Sequence, residues 1–188
     1  IIGKVTKNLD NPESGIDSSS FPKKGQVGYV DKTYVTQNDE GRRIAKVRIR
    51  EERQPAIGDK FASRCGQKGT IGTLISEENM PFTKDGIRPD LIINPHALPS
   101  RMTIGQLVEC VMSKLACING CSIDSTSFLN KNSNNEEIGT LLNAHNFHST
   151  GNELLYNGMT GEQIESDIFI GPTYYMRLKH MVKDKINY

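Results

Sequence analysis

The residues best suited to chemistry in this chain are Lys60, Arg64 and Lys68, set four apart within the glycine-rich stretch 57–69. Lysine offers a phosphate a point charge, and arginine offers it a bidentate fork. Gly58, Gly66 and Gly69 let the backbone come close to an anion. The chemistry this suggests is phosphate contact. A solvated basic turn has the same composition, and spacing alone does not separate the two. No glycine is followed at Walker spacing by Gly-Lys-Ser/Thr, which disfavours P-loop nucleotide hydrolysis. Composition and glycine content also argue that the stretch is a loop and not part of a core.

Arg101 follows Pro99-Ser100 where the apolar periodicity begins. Free N–H groups at a helix start attract anions, whereas an arginine there opposes the dipole. Either a phosphate is shared between helix end and guanidinium, or the arginine is simply exposed at a frayed start. Arg177, His180 and Asp184 share one face of a predicted last helix, with Lys179, Lys183 and Lys185 around it. That face suits a phosphate or nucleic-acid channel, although charged helix faces are usually just solvated. His96 reads as a packed histidine at a strand end, since no second ligand or base is spaced near it.

Other chemistries are missing. There is no Ser/His/Asp arrangement, no His-Glu-x-x-His and no Asp-rich triplet; Asp59 and Asp90 stand alone. A self-contained two-metal centre is therefore not written here. Cys110, Cys117 and Cys121 give one loose pair where zinc sites use two close ones, and with Cys65 they read as reduced thiols. The net charge is +1, so any basic site must come from local clustering. The 36% hydrophobic content can build a core, while the mean hydropathy of −0.49 implies extensive surface or loops. No apolar run is long enough to span a membrane. The opening Ile1-Ile2-Gly3-Lys4-Val5 reads like mid-strand, so a piece of a longer polypeptide is expected.

The elements that must position these groups follow from pattern. Residues 1–6 read as a strand and 7–26 as a flexible polar loop. Residues 27–36 and 44–50 form a hairpin around Asn38-Asp39-Glu40-Gly41, its second strand apolar on one face and basic on the other. Residues 70–75 form a strand, 80–86 a turn and 89–96 a short buried strand closed by prolines. Ile104, Leu107, Val108, Val111 and Leu115 mark an amphipathic helix with Ser100 or Thr103 as N-cap. Residues 122–135 are a second polar loop, 136–144 a short helix, and 154–156 with 167–170 a hairpin. The last helix covers 174 to about 185. The class is α+β with a β-rich core.

The blocks Gly58-Asp59-Lys60-Phe61-Ala62-Ser63-Arg64-Cys65-Gly66-Gln67-Lys68-Gly69-Thr70, Pro89-Asp90-Leu91-Ile92-Ile93-Asn94-Pro95-His96, Pro99-Ser100-Arg101-Met102-Thr103 and Gly171-Pro172-Thr173-Tyr174-Tyr175 carry a resemblance. So do Met80-Pro81-Phe82, Tyr156-Asn157-Gly158 and residues 177–185. Together they resemble the second-largest subunit of multisubunit DNA-directed RNA polymerases, in its RNA polymerase II or large-DNA-virus form. The resemblance implies the end of the wall, or flap, over 1–50 and the hybrid-binding region over 51–188, with strands of a double-psi β-barrel. It implies that Lys60 and Lys68 contact RNA 3′-end phosphates and that Arg101 holds the incoming NTP. It places Arg64, Gln67, His180 and Lys185 at nucleic acid. It also implies Mg²⁺ held mainly by the largest subunit, with no metal ligand in this chain. An acidic pair would lie upstream of residue 1, and a zinc clamp beyond residue 188. The implied partners are the other polymerase subunits, template DNA, nascent RNA and NTP, with no membrane. The implied location is the nucleus if the source is cellular, and the virus factory in the host cytoplasm, or the virion, if it is viral. A non-enzymatic RNA-binding or assembly module is the rival reading. The chain departs from the family pattern at Cys65, which puts an oxidisable thiol among cations, and at Met159, Lys183 and Asn187-Tyr188.

Overall fold

The computed structural model describes residues 1–7, 14–128 and 135–185. The chain divides into two compact units, Ile1–Pro55 and Ala56–Tyr188. In the first, β1 (Val5–Lys7) pairs antiparallel with β2 (Gly15–Asp17), and a bridge between Ile2 and Ser20 extends the ladder. The polar segment expected to be all loop thus contains a strand, because Thr6 and Ser18 join hydroxyls across the ladder at 2.7 Å. The part of that expectation falling on 8–13 lies outside the described residues. The predicted hairpin forms as β3 (Tyr29–Gln37) and β4 (Arg43–Arg50). Its turn closes when Asn38 Oδ1 accepts the Arg42 N–H at 2.8 Å. No described residue of this unit is buried.

The second unit runs β5 (Lys60–Ser63), β6 (Lys68–Thr70), β7 (Phe82–Thr83), α1 (Ala97–Arg101), α2 (Ile104–Asn119), α3 (Asn135–Ala144), β8 (Asn152–Tyr156), β9 (Gln163–Phe169) and β10 (Tyr175–Arg177). Its strands form two antiparallel three-stranded sheets, ordered β10-β5-β6 and β7-β8-β9. Among the described residues, small antiparallel sheets with three helices make an α+β fold. The predicted α2, α3 and β8–β9 hairpin all form. Gly120, at φ 64°, ends α2, and Cys121 N–H returns to the Ala116 carbonyl at 3.1 Å. The core gathers Cys110 and Leu115 of α2, Leu142 of α3 and Leu155 of β8. Leu142 and Leu155 are almost fully buried and contribute about 2 kcal/mol each.

Other expectations fail as well. Residues 89–96 form no strand; Leu91, Ile92 and Ile93 are exposed, and Pro89 and Pro95 bracket them. The strand expected over 70–75 ends at Thr70, the last residue paired to β5. The last helix is replaced by β10 and a short 3-10 turn, Val182–Lys185. Tyr175 to Arg177 have ladder partners on β5, so they extend instead of coiling. Consequently Arg177, His180 and Asp184 share no helix face. The buried arc of α2 is also displaced. It carries Gln106, Cys110 and Lys114 beside Leu115, while Ile104 is exposed and Val108 lines an open groove with Met112 and Ala116.

Candidate nucleic-acid interface

The glycine-rich cationic stretch is a β-hairpin whose far side is core, which corrects its reading as a loop. Asp59, Ser63 and Gln67 are buried, and so is Ala62, which the register puts on the face of Lys60 and Lys68. The register sets Lys60 opposite Thr70 and Ala62 opposite Lys68. Directly opposed residues share a sheet face, so Lys60 and Lys68 stand on the same face as diagonal neighbours. Lys68 is exposed and Lys60 half-buried. Arg64, Cys65 and Gly66 make the turn, with Gly66 at φ 80°. The opposite face carries Ser63, whose hydroxyl donates to Gln106 Oε1 of α2 at 3.0 Å.

Asp59 fixes the base of this hairpin. Its carboxylate accepts the Val182 N–H at 3.0 Å, the Ala56 N–H at 3.1 Å and Arg177 Nη2 at 2.6 Å. The Val182 N–H, then the Ala56 N–H and the Arg177 guanidinium, hold its carboxyl below the usual range despite burial. The segment after β10 is thereby wrapped around the base. Lys60 N–H donates to the His180 carbonyl at 3.3 Å, and Leu178 N–H donates to the Lys60 carbonyl at 2.9 Å. His180, exposed, is thus brought beside Lys60. Lys185 lies in the 3-10 turn that Asp59 holds through Val182. Gly58 is required here, because its φ is 99° and a Cβ would sit 3.1 Å from the Val182 side chain.

Gln67 ties the hairpin to the neighbouring helix. Its Nε2 donates to the Ala97 carbonyl at 3.0 Å and to Thr103 Oγ1 at 2.6 Å. Gln67 precedes Lys68, and Thr103 follows Arg101 by two residues, so one junction holds both cation-bearing segments. Arg101 itself is exposed and ends the five-residue α1; it does not open α2. Met102, at φ 51°, breaks the two helices apart. The argument from a helix N-terminus therefore does not apply to Arg101. Thr103 makes no side-chain cap to α2, since its hydroxyl serves Gln67.

Arg64 pairs with Glu109 of α2 at 2.6 Å and lies 4.9 Å from the Tyr174 ring centroid. Glu109 also accepts the Tyr174 N–H at 3.2 Å and sits 4.0 Å from the Cys65 sulfur. The Cys65 thiol thus faces a carboxylate as well as cations.

The family model described as RNA polymerase Rpb2, domain 6, matches residues 3–188. This chain belongs to that family. The RNA polymerase II subunit RPB2 of Encephalitozoon cuniculi is 47% identical over the whole chain, which covers 17% of that protein. An RNA polymerase II subunit RPB2 homolog of Invertebrate iridescent virus 3 is also 47% identical over the whole chain and 17% of its own length. The RNA polymerase subunit Rpo2 of Saccharolobus solfataricus is 42% identical with the same coverage. The chain therefore spans about one sixth of the length of the curated relatives it matches.

Within this Rpb2 segment, sequence reading missed Asp59 and Glu109, which organise the site, and Lys114, which ties α2 to the β8–β9 hairpin. Asp59 stands alone among the carboxylates of the sequence, although an acid inside a cationic run is a usable signal. Glu109 gave none. Lys114 sits at a buried α2 position, where its ammonium meets Glu153 Oε2 at 2.6 Å and the carbonyls of Gly151 and Ile170 at 3.0 and 3.2 Å. A lysine beside an apolar stripe was its only trace. Cys110 is buried, and burial pushes its thiol pKa up, whereas Cys117 and Cys121 are exposed. Among the described residues, no three His, Cys, Asp or Glu side chains gather to hold a metal ion. The Lys60/Lys68 face does not fit Mg²⁺ either, which takes oxygen ligands, whereas these groups are cations.

Proposed function

We propose that this Rpb2 segment serves a DNA-dependent RNA polymerase by positioning phosphates, with Lys60 and Lys68 on the RNA 3′-end backbone and Arg101 on the triphosphate of the incoming NTP. The observation that carries the reading is the face that Lys60 and Lys68 share, with Lys68 exposed, on a hairpin whose other side is anchored. Preorganised cations lower a barrier by meeting charge that develops in the transition state, without reorganising during the step. His180 and Lys185 flank the same base and add contacts to nucleic acid. Arg64 and Gln67 are assigned to nucleic acid as well, and their bonds to Glu109, Ala97 and Thr103 add a positioning role.

On this reading residues 1–50 belong to the end of the wall and 51–188 to the hybrid-binding region, whose strands enter a double-psi β-barrel with the rest of the subunit. Mg²⁺ is held mainly by the largest subunit, and the partners are that subunit, the other subunits, template DNA, nascent RNA and NTP. The setting is the nucleus for a cellular source, and the virus factory in the host cytoplasm, or the virion, for a viral one. The test is Lys68→Ala in the assembled polymerase. Assembly stays intact and the rate of nucleotide addition falls about 100-fold, the scale of losing one preorganised charge contact. An unchanged elongation rate would falsify the reading. The isolated chain should incorporate no nucleotide.

A further inference from the structure

The long hairpin β3–β4 carries a surface that phosphate positioning by Lys60, Lys68 and Arg101 does not use. Its register pairs Tyr29 with Arg50, Val30 with Ile49, Lys32 with Arg48 and Tyr34 with Lys46, with a bulge between Val30 and Lys32. The bulge inserts Asp31 and shifts the side-chain alternation by one. Unbroken alternation would set Tyr29 with Thr33 and Val35, and Val30 with Lys32 and Tyr34. With the bulge, Val30 joins Ile49, Thr33 and Val47 on an apolar face. Tyr29 joins the other face, which carries Tyr29, Lys32, Tyr34, Lys46, Arg48 and Arg50.

That face is open and built of two chemistries. Tyr29 is 77% exposed and Tyr34 40% exposed. Lys32 Nζ lies 5.3 Å from the Tyr34 ring centroid. Arg48 pairs with Asp31 of the bulge at 2.6 Å, which steadies the kink that presents Tyr29. Lys46, Arg48 and Arg50 recur every second residue, about 7 Å apart. That is the scale on which an extended single strand repeats its phosphates.

We propose that this face binds single-stranded nucleic acid, its bases stacking on Tyr29 and Tyr34 and its phosphates meeting Lys46 and Arg50. Charge complementarity selects a polyanion, because four cations share the face with one carboxylate. The tyrosines select nucleic acid over an acidic protein: flat exposed rings stack on any base, and stacking platforms interleaved with cations are how single strands are held without sequence preference. The proposal goes beyond the polymerase reading and stands on a different unit of the chain.

The test uses the full-length polypeptide that carries this segment and a thiouridine-substituted oligouridine, with ultraviolet cross-links mapped by mass spectrometry. Cross-links fall on peptides of β3 and β4. Tyr29→Ala and Tyr34→Ala each weaken binding read at those peptides about 10-fold, whereas Tyr29→Phe and Tyr34→Phe bind as the parent does. Combining Lys46→Ala with Arg50→Ala reduces the slope of log affinity against log salt by about 1.4. Lys68→Ala leaves these cross-links in place even where it slows nucleotide addition, which keeps the two readings separable. The proposal is overturned if no cross-link falls within residues 29–50, or if the Phe variants lose binding as the Ala variants do. It is also overturned if polyglutamate competes fully while the tyrosine variants change nothing, a result that would assign the face to an acidic protein.

Discussion

Asp59 holds a negative charge inside the second unit by spending its lone pairs on two backbone N–H groups and one guanidinium. A carboxylate whose pKa is lowered by folding stabilises the fold fully above the unfolded-state pKa. The stabilisation is lost as pH falls through the lowered folded value. Asp59→Asn should therefore destabilise at neutral pH and converge on the parent in acid. Amide hydrogen exchange at Lys60 and Leu178, followed from neutral pH downward, checks this; a gap that stays constant across that range would refute it. Lys114 poses the related problem of a buried pair. Lys114→Met leaves Glu153 charged and largely shielded from water without its partner and should cost up to about 3 kcal/mol. Adding Glu153→Leu should recover most of that loss, as a double-mutant cycle in urea would measure.

At the scale of elements, the β5–β6 hairpin works because one residue on each side clamps it. Gly58 lets the chain pass Val182 at close range with a positive φ. Gly58→Ala adds both strain and a crowded methyl and should cost about 1–3 kcal/mol. The cost should appear as faster exchange in Val182–Lys185 before any change in α2. Gln67→Ala removes the bonds to Ala97 and Thr103 and should cost about 1–3 kcal/mol. On the proposed function its kinetic signature is a raised KM for NTP, because Arg101 loses its tether. A KM unchanged in the assembled polymerase would count against that tether.

At the scale of the whole molecule, the two units rest on different physics. The second has a core, and Leu142→Ala there should cost about 2–5 kcal/mol in an unfolding titration. The first has no buried residue among those described, and its hairpins are two-stranded. Two-stranded ribbons in water are marginal at best. A peptide of residues 1–55 should show no cooperative thermal transition by circular dichroism. A sharp sigmoidal melt would mean that the ribbons carry stability of their own.

Local pattern determined much of this protein. The amphipathic run from Ile104, the turn at Asn38 and Gly41, and the hairpin around Asn157 and Gly158 declare their elements because each is fixed by neighbours a few residues away. The family blocks are likewise local stretches, and they carry the family without any contact between distant segments. What pattern did not reach is long-range pairing. Residues 174–185 read as a helix until β5, over a hundred residues earlier, supplied a ladder and Asp59 captured Val182. Arg101 read as a helix start until Gln67 claimed the Thr103 hydroxyl and Met102 turned left-handed. The cations Lys60, Arg64 and Lys68 were legible from composition alone. That Lys60 and Lys68 share one face while Arg64 turns to Glu109 was decided by strand register and by a carboxylate on α2. Neither leaves a trace in spacing, because both are contacts between segments far apart in the chain.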